Sequence, residues 1–436
     1  MNPVEPVNPS EALELARWLT SAAVEPRLSA SAATERLSPQ FVQSLLRTLN
    51  GAQTRAVLEL AALRERAAEK FPWAEQLFLT AKGLEQATDW RLARYKATTA
   101  AKRLPNCAAY DLGCGIGGDL LALAMLGPTT AVECDPVAAE FARANLQSFW
   151  PFGQSAQLEN TSQVVCGDLA ATELPKDSFW HLDPDRRPSG ARAVHWEWLE
   201  PGPEVIAGLL RRQPNGVIKG APAAPAPTME LGDYSREWVS TRRECRQQLL
   251  WLGALAKNPA QHRATRIIDA DAAARYPQRS SELLRTIPID DPWQPSVAYS
   301  FQGTPTQVAE GATNWGGYLY EPDPAVLAAD VAGDLAQILC WKQVEASIPY
   351  FTSDILAQHP LWSSFRIEAV LPWRRERVKA LLKERQIGQL EIKKRGVPLD
   401  PAEVRQQLQP RGDKSGVLIL TRHGKQVQAL LCERVT

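Results

Sequence analysis

The spacing of hydrophobic and polar positions divides the chain into a helical first part and a later part of short apolar runs. Residues 1–105 have helical spacing. Ser38 can cap a helix and Pro39 suits a first turn, and the Ala/Leu/Glu/Arg-rich stretch after them predicts one helix through Lys70. Asp89 is predicted to cap the next helix. We therefore expect an N-terminal helical region.

After residue 105 the pattern changes to short apolar runs separated by helical segments. Five of these runs are spaced as successive β-α units: 108–110, 130–132, 164–165, 179–182 and 217–218. Such spacing predicts a parallel sheet with helices on both faces. Two later runs, at 237–240 and 264–268, are expected to extend it. The predicted fold class is α/β, with a doubly wound, mostly parallel, Rossmann-like sheet in residues 106–280.

The remaining chain differs from both earlier parts. Residues 281–317 are rich in Pro, Gly and polar residues, which indicates a linker with some β character. Residues 318–436 mix helical stretches with short strands and predict a C-terminal α+β domain. Its predicted elements are a helix at 324–341, a strand at 365–370, a helix at 373–385, a strand at 389–394, a helix at 400–408 and strands at 417–421 and 427–433.

Composition and charge narrow the class of protein. The 436 residues are 44% hydrophobic and 22% charged, which is ordinary for globular chains and excludes a disordered one. The 49 basic and 49 acidic side chains balance overall, but from Leu361 onward 16 Lys and Arg stand against 8 Asp and Glu. A basic end on an otherwise acidic chain suits an anionic polymer as partner.

The sequence lacks the patterns of targeting and metal-binding segments. Its apolar runs stay short of the roughly 18 residues of a membrane span, and the amino terminus lacks the regions of a signal peptide. The 7 cysteines are scattered without a C-x-x-C pair, and none of the 5 histidines is paired at metal-ligand spacing. We expect a cytoplasmic protein with reduced thiols, no membrane contact and no bound metal.

The strongest local motif is a glycine-rich loop between the first predicted strand and the helix after it. Asp111 begins the segment DLGCGIGGD, in which glycines let the backbone turn tightly and approach a ligand. Gly113, Gly115 and Gly117 satisfy the pattern G-x-G-x-G. Taking Gly118 as the third glycine instead satisfies the dinucleotide pattern G-x-G-x-x-G. The loop predicts a nucleotide-like ligand without deciding which one.

Acidic residues around this loop favour one ligand. Asp111 lies two positions before the first glycine, where its carboxylate could reach an ammonium group. Glu133 lies 20 residues beyond Gly113, at the end of the second strand, and suits two ribose hydroxyls. Asp168 closes the third strand and could accept an adenine amine. The series resembles the class I S-adenosylmethionine-dependent methyltransferases.

The resemblance implies S-adenosyl-L-methionine as the cofactor. It assigns the cofactor site to Asp111, Gly113, Gly115, Gly117, Glu133 and Asp168. The segment 84–88 further resembles the one that precedes the catalytic sheet in RNA methyltransferases, which implies that Thr88, with Gln86, lines the donor site. His181 and Trp196 are predicted to pack in the core.

The fourth predicted strand ends in a loop that points to the acceptor. Asp183 and the carbonyl of Pro184 can hold an amine by its hydrogens and aim the nitrogen lone pair at a methyl donor. Amino-directed methyltransferases of this class carry Asp/Asn-Pro-Pro and an aromatic residue here. The resemblance therefore implies catalytic roles for Asp183, Pro184, Asp185 and Arg186. The sequence departs from the family pattern, because Asp185 replaces the second proline and Arg186 the aromatic residue.

Taken with its C-terminal part, the chain resembles a bacterial group of methyltransferase-like proteins that end in a THUMP-like domain. The resemblance rests on the motifs above, on Tyr320 to Pro324 and on Glu391 to Gly396, and covers roughly residues 75–436. True THUMP domains bring structured RNA to a catalytic domain, so the resemblance implies a transfer or ribosomal RNA partner. The residues assigned to RNA phosphates are Arg374, Arg375, Lys393, Lys394 and Arg395.

Together these observations predict an S-adenosylmethionine-dependent methyltransferase that modifies a nucleobase nitrogen of structured RNA. Two alternatives stay open. A catalytically silent RNA-binding protein would keep the donor pocket, and Asp185 with Arg186 favours it. An NAD-dependent oxidoreductase would use Gly118, but it leaves the acidic series and the basic C-terminal region unexplained.

Overall fold

The chain was examined as a computed structural model that describes residues 8–21, 38–149, 161–186, 196, 199–276 and 284–435. It forms two compact units. The first unit comprises residues 1–235, 248–257 and 289–295, and the second comprises residues 236–247, 258–288 and 296–436. The chain therefore passes between the units several times, and each unit is described separately.

Among the residues that the structure describes, five α-helices precede the sheet of the first unit: α1 (Pro9–Leu19), α2 (Pro39–Leu46), α3 (Gly51–Ala67), α4 (Ala81–Gln86) and α5 (Trp90–Arg103). Ser38 caps α2 as predicted, since its side chain accepts a hydrogen bond from the Phe41 amide. Asp89 likewise caps α5. The prediction of one continuous helix through Lys70 is wrong. Asn50 forms a reciprocal capping box with Gln53 and starts a separate helix, α3.

The predicted parallel sheet is confirmed in the first unit. Its elements are β1 (Ala108–Leu112), α6 (Gly118–Ala124), β2 (Thr129–Glu133), α7 (Pro136–Phe149), β3 (Gln163–Cys166), β4 (Ser178–Leu182), β5 (Asp185–Arg186), β6 (Leu199–Glu200), α8 (Pro203–Arg212) and β7 (Gly216–Gly220). The parallel strands lie in the order β7-β4-β1-β2-β3. The chain order reverses beside β1, and open α/β sheets bind ligands at the carboxyl ends of strands at such a point.

Large apolar side chains fill the space beneath this sheet edge. Trp180 and Leu182 of β4 are fully buried. Trp196 is buried too, as predicted, and its Nε1 donates a hydrogen bond to the Pro225 carbonyl at 2.8 Å. A Cβ atom on Gly220 would lie 2.4 Å from the Trp196 ring, so this strand end needs a glycine. The carboxyl edge of the sheet therefore rests on rigid packing.

Helix α5 is anchored from outside the sheet by a buried carboxylate. Asp291 accepts hydrogen bonds from Trp90 Nε1 at 2.9 Å and from Arg94 Nε at 3.0 Å. Both the Arg94 and the Asp291 side chains are at least 95% buried, so the ion pair fixes the helix with little solvent screening. This anchoring positions Lys96, which lies half a turn after Arg94.

The second unit contains two groups of strands. The elements are β8 (Tyr234–Thr241), β9 (Glu244–Leu252), β10 (His262–Asp269), α9 (Ala270–Ala273), β11 (Leu284–Ile289), β12 (Ser296–Gly303), β13 (Glu310–Gly311), β14 (Tyr318–Pro322), α10 (Pro324–Ala328), α11 (Ala332–Ile338), β15 (Lys342–Gln343), β16 (Phe351–Ser353), β17 (Trp362–Pro372), α12 (Arg375–Glu384), β18 (Ile387–Arg395), α13 (Pro401–Leu408), β19 (Lys414–His423) and β20 (Gln426–Val435). Strand β9 belongs to both units, and its residues 248–252 pair antiparallel with β7 in the first.

In the second unit β10 pairs parallel with β8 and antiparallel with β12, so the two later apolar runs form strands as expected. The other group is an eight-stranded sheet in the order β13-β15-β16-β14-β17-β20-β19-β18, with α12 and α13 packed on β18 and β19. The C-terminal elements agree with the predicted α+β pattern, except that the helix expected at 324–341 is two short helices. The predicted linker, 281–317, contains β11, β12 and β13. The four-part division of the chain stays a prediction.

Two further observations concern the described part of the chain. No helix there is long and apolar enough to cross a membrane. Within the same residues no group of three or more His, Cys, Asp and Glu side chains has the arrangement of a metal site. The seven cysteines are free thiols.

Candidate active site

Three glycines of the loop after β1 adopt backbone conformations that other residues rarely enter. Gly113, Gly115 and Gly117 have φ angles of +74°, +54° and +93°. Gly118 is outside this left-handed region, and a Cβ atom there would make only ordinary contacts at 3.5 Å or more. The backbone therefore requires glycine at the positions of the G-x-G-x-G pattern and not at Gly118.

Glu133, at the end of β2, is fastened to this loop. Its Oε2 accepts a hydrogen bond from the Gly115 amide at 2.8 Å, and its Oε1 accepts one from the Asp135 amide at 2.9 Å. A carboxylate oxygen has a second lone pair, so both oxygens can still accept hydroxyl groups. Asp168 is exposed and caps a short turn by accepting from the Ala170 amide at 2.8 Å.

Asp111 is buried directly below the loop. Its Oδ1 lies 2.8 Å from Nδ1 of His181 on the neighbouring strand β4, while its Oδ2 is buried without a hydrogen-bond partner. Burial raises the pKa of Asp111, and the contact with His181 opposes that rise. The structure therefore brings together Asp111 and His181, and leaves one carboxylate oxygen to receive a further donor. His181 is buried as predicted, but in a polar contact that the sequence did not reveal.

Lys96 extends this contact into a buried network. Its Nζ lies 2.9 Å from His181 Nε2 and 2.7 Å from Asp119 Oδ1. Because an ammonium group only donates, His181 Nε2 must accept, and the imidazole proton is on Nδ1, facing Asp111. Burial alone would raise the pKa of Asp119, but the positive charge of Lys96, and then that of Lys219, hold it well below its ordinary value.

The network continues to the loop that was predicted to hold the acceptor. Thr88 Oγ1 donates to Asp119 Oδ2 at 2.8 Å and accepts from Lys219 Nζ at 3.3 Å. The same ammonium group forms an ion pair with Oδ2 of Asp183, whose side chain is 28% exposed. A continuous chain of polar contacts therefore joins Asp111 below the glycine loop to Asp183 at the end of β4.

The other residues of the Asp183 loop have separate environments. Pro184 is buried. Asp185 accepts hydrogen bonds from Lys82, at 3.2 Å, and from Gln86, so it ties the loop to helix α4. The prediction for the Arg186 side chain lies outside the part of the chain that the structure describes.

Sequence reasoning missed three members of the network. Lys96 is a lysine on the buried face of α5, one turn after the buried Leu92. Asp119 follows the last glycine of the loop, and Lys219 lies near the end of β7. The positions of Asp119 and Lys219 gave a signal, since the glycine loop and the ends of parallel strands meet at one sheet edge. Which residues they contact could not be read from the sequence, because the contacting residues are far apart in it.

The basic residues assigned to RNA lie in the second unit. Arg374 precedes α12 and is exposed, and Arg375 forms an ion pair with Glu376 at 2.8 Å. On β18, Lys393 and Arg395 share one carboxylate, that of Glu321, at 2.9 and 3.8 Å. Lys394 is exposed and, by strand alternation, lies on the opposite face from these two. The run of three cations is therefore divided between two faces.

Comparisons with known proteins agree with this architecture. Residues 363–434 match the family model described as THUMP domain-like. Over 377 residues the chain is 27% identical to an S-adenosylmethionine-dependent methyltransferase of Mycobacterium tuberculosis that is described as uncharacterized, a match that covers 84% of this chain and 92% of the relative. A crystal structure from Porphyromonas gingivalis, named a methyltransferase, shares the fold with a TM-score of 0.68 at 19% identity, over 98% of this chain and 99% of that chain.

The strand order, the left-handed glycine loop and the acid at the end of β2 define the fold of class I S-adenosylmethionine-dependent methyltransferases. The chain is homologous to the S-adenosylmethionine-dependent methyltransferase of Mycobacterium tuberculosis, and its residues 363–434 are THUMP-like. This homology confirms the predicted family, fold class, enzyme class and cofactor. It also argues against the oxidoreductase alternative. Gly118 agrees with this, because the backbone at that position does not require a glycine.

Proposed function

We propose that this chain transfers a methyl group from S-adenosylmethionine to a nucleobase nitrogen of structured RNA. The observation that carries the proposal is the partly exposed carboxylate of Asp183, held by Lys219 at the end of β4, where Pro184 follows it. The THUMP-like match in the C-terminal region supports RNA as the substrate class. The nitrogen target rests on the chemistry of the Asp183 loop.

The acceptor groups and the backbone of the site fit the cofactor. Glu133 offers two carboxylate oxygens for ribose hydroxyls, and Asp111 Oδ2 is a buried acceptor that an ammonium group could satisfy. No heavy atom lies within 4 Å of the place where a Cβ on Gly115 would stand, so the loop leaves room beside its backbone. Asp168 remains the proposed adenine contact.

The charge of the network also suits a cationic donor. Three carboxylates, those of Asp111, Asp119 and Asp183, face two ammonium groups, those of Lys96 and Lys219. Counted with three ionised carboxylates, two ammonium groups and a neutral imidazole, the cluster carries one negative charge. A sulfonium compound with an amino-acid end has a net charge of one positive unit, so the two complement each other.

The residues of this chain then have separate tasks. When bound, the cofactor supplies an electrophilic sulfonium methyl group. Asp183 and the carbonyl oxygen of Pro184 accept hydrogen bonds from the acceptor amine, which aligns its lone pair. Lys219 orients Asp183 through their ion pair, while Thr88 accepts a hydrogen bond from Lys219 and helps to fix it. The proton that the nitrogen loses after transfer can pass to solvent through the exposed side of this loop.

One observation favours the silent RNA-binding alternative. Asp183 is already paired with Lys219, and Asp185 is paired with Lys82 and Gln86. An acceptor amine must therefore compete with an internal cation for the Asp183 carboxylate. Measuring turnover directly separates the alternatives.

The test compares Asp183→Ala with Asp177→Ala, a change of the same chemistry before the other end of strand β4, at an exposed residue. RNA from a strain that lacks the gene is incubated with donor labelled in its methyl group, and donor binding is measured by calorimetry. We expect Asp183→Ala to lower kcat by about 10² to 10³-fold, the range for a lost transition-state contact, with donor affinity within about twofold of the parent. Asp177→Ala should match the parent in both.

Each failure has a distinct meaning. Donor binding without transfer to any RNA by the parent protein supports the silent alternative. Full activity of Asp183→Ala contradicts the role given to this loop. Equal loss of donor affinity and activity places Asp183 in the cofactor site instead.

A further inference from the structure

A small polar pocket in the second unit has no role in the proposed chemistry. It holds about 250 Å³ of empty space, part of it open to solvent. Its lining includes Arg243, His359, Ser363 and Arg434. All four belong to the second unit, and each can donate hydrogen bonds.

Arg243 reaches this pocket from an unusual hairpin turn. The two residues between β8 and β9 are Arg242 and Arg243, with φ angles of +50° and +61°. Two-residue turns of this kind prefer Asn-Gly, because side chains with a Cβ atom are strained in the left-handed region. Arg243 therefore adopts a left-handed backbone conformation that is unfavourable for arginine. Such strain marks positions where the side chain has a task.

The guanidinium of Arg243 lacks a counter-ion of its own. Among the described residues it has neither a hydrogen-bond partner nor an ion-pair partner. Burial lowers the pKa of Arg243, and the neighbouring charges of Arg266 and Arg434 lower it further, while Asp323 and Glu321 oppose this. The site therefore concentrates positive charge that its carboxylates do not fully balance.

The nearby carboxylates contact other groups. Asp323 Oδ1 accepts from Ser240 at 2.5 Å and from the Ala325 amide at 3.0 Å, while its Oδ2 is buried without a hydrogen bond, 3.5 Å from Arg266 Nε. Glu321 is shared by Lys393 and Arg395. Glu391 accepts from Arg434 with both oxygens, at 2.9 and 2.7 Å. An additional anion would therefore give Arg243 a partner of its own.

Two uncharged donors complete the lining. Ser363 is 4% exposed, and its Oγ is buried without a hydrogen-bond partner. His359 Nδ1 accepts from the Leu361 amide at 3.2 Å, so the proton of the neutral imidazole is on Nε2, which has no partner among the described residues. The guanidinium and imidazole N–H groups and the serine O–H group are all donors, so together they suit a ligand that offers only acceptor oxygens.

We propose that this pocket binds one phosphate group of the RNA backbone, with Arg243 as its principal contact. The inference rests on the proposed RNA substrate. It adds a contact at the β8–β9 turn, from an arginine that is not among the residues that the sequence assigned to RNA. A phosphodiester presents acceptors without donors and carries one negative charge, which fits the set of donors and the unbalanced arginine.

The variants are chosen so that the fold is kept. Arg243→Asn removes the guanidinium but places a residue that tolerates positive φ. Arg243→Lys keeps the charge and loses the planar fork. Arg246→Gln is the matched control, because Arg246 lies on the same hairpin, pairs with Glu244 and is 44% exposed. Ser363→Ala removes the buried hydroxyl alone.

Two probes are used with the full-length protein: inorganic phosphate, followed by calorimetry, and unfractionated transfer RNA, titrated at several salt concentrations. We expect Arg243→Asn to weaken RNA binding on the order of tenfold and to shallow the slope of log affinity against log salt by about 1. Arg243→Lys should lie between Arg243→Asn and the parent, and Arg246→Gln should match the parent. Phosphate should bind the parent more tightly than Arg243→Asn and Ser363→Ala.

The outcomes separate this inference from the proposed function. If Arg243→Asn and Arg246→Gln have the same RNA affinity and the same salt slope, the proposed phosphate contact is wrong, even if the parent methylates RNA. If phosphate binding depends on Arg243 but RNA binding does not, the pocket binds anions without contacting RNA, and the inference is wrong. Loss of RNA affinity in Arg243→Asn supports the inference whether or not Asp183→Ala affects turnover, since donor binding is measured separately.

Discussion

The two units of this chain use charged side chains in different ways. In the first unit Lys96 is 4% exposed and contacts both Asp119 and His181 in a closed network. In the second, Lys393 and Arg395 are 24% and 31% exposed and share the single carboxylate of Glu321. Buried pairs are costly to break, whereas exposed pairs contribute little. The comparison teaches that the number of cations in a stretch of sequence does not tell whether their charge is available to a ligand.

The largest expected effect concerns the buried network of the first unit. Lys96→Met leaves Asp119 buried without its ammonium partner, and breaking a buried pair in this way costs about 3 to 5 kcal/mol. Lys102→Met, at an exposed position of the same helix, should change stability by no more than about 0.5 kcal/mol. Urea unfolding of both variants measures the difference. If Lys96→Met is as stable as Lys102→Met, the network does not stabilise the unit.

A second effect comes from a buried histidine in the second unit. Burial, and then the charge of Arg266, lower the pKa of His359 to about 4. The folded-state pKa lies below the ordinary value of about 6.5, so the stabilising effect is complete above pH 6.5 and is lost as the pH falls towards 4. The loss should reach about 3 kcal/mol.

The measurement is the urea midpoint of the second unit between pH 7 and pH 4, compared in the parent and in His359→Gln. The variant should lose this part of the pH dependence. Titration of the His359 ring signals by NMR gives the pKa directly. A midpoint near 6.5 would mean that the ring is solvated, and the contrast between the units would then be smaller than described.

The smallest effect tests whether Glu321 competes with RNA for the cations of β18. Glu321→Gln frees Lys393 and Arg395 without changing side-chain size, and surface pairs of this kind correspond to at most about 1 kcal/mol. RNA affinity should therefore rise by a factor of up to about 5. Glu384→Gln, on the exposed side of α12, removes the same charge elsewhere and should have a weaker effect. Equal effects of the two substitutions would show that only net charge matters and that β18 is not a specific contact.

The amino-acid sequence by itself determined the features that depend on local chemistry. The five parallel strands followed from apolar runs, and the caps at Ser38 and Asp89 from single residues. The glycine loop was recognisable, and the left-handed φ angles of Gly113, Gly115 and Gly117 explain why glycine stands there. The break before α3 was missed, although Asn50 and Gln53 carried the signal of a capping box.

Only the tertiary structure decided which charged groups meet. His181 and Asp111 are 70 positions apart, Lys96 and His181 are 85 apart, and Lys219 and Thr88 are 131 apart. Such pairs depend on which helices and strands become neighbours in the fold. The spacing of residues along the sequence does not show this. The same holds in the second unit, where Glu321 neutralises part of a basic run while Arg243 keeps its charge unmatched. Local patterns set the elements, but the Coulomb energy of a side chain depends on all its neighbours in space.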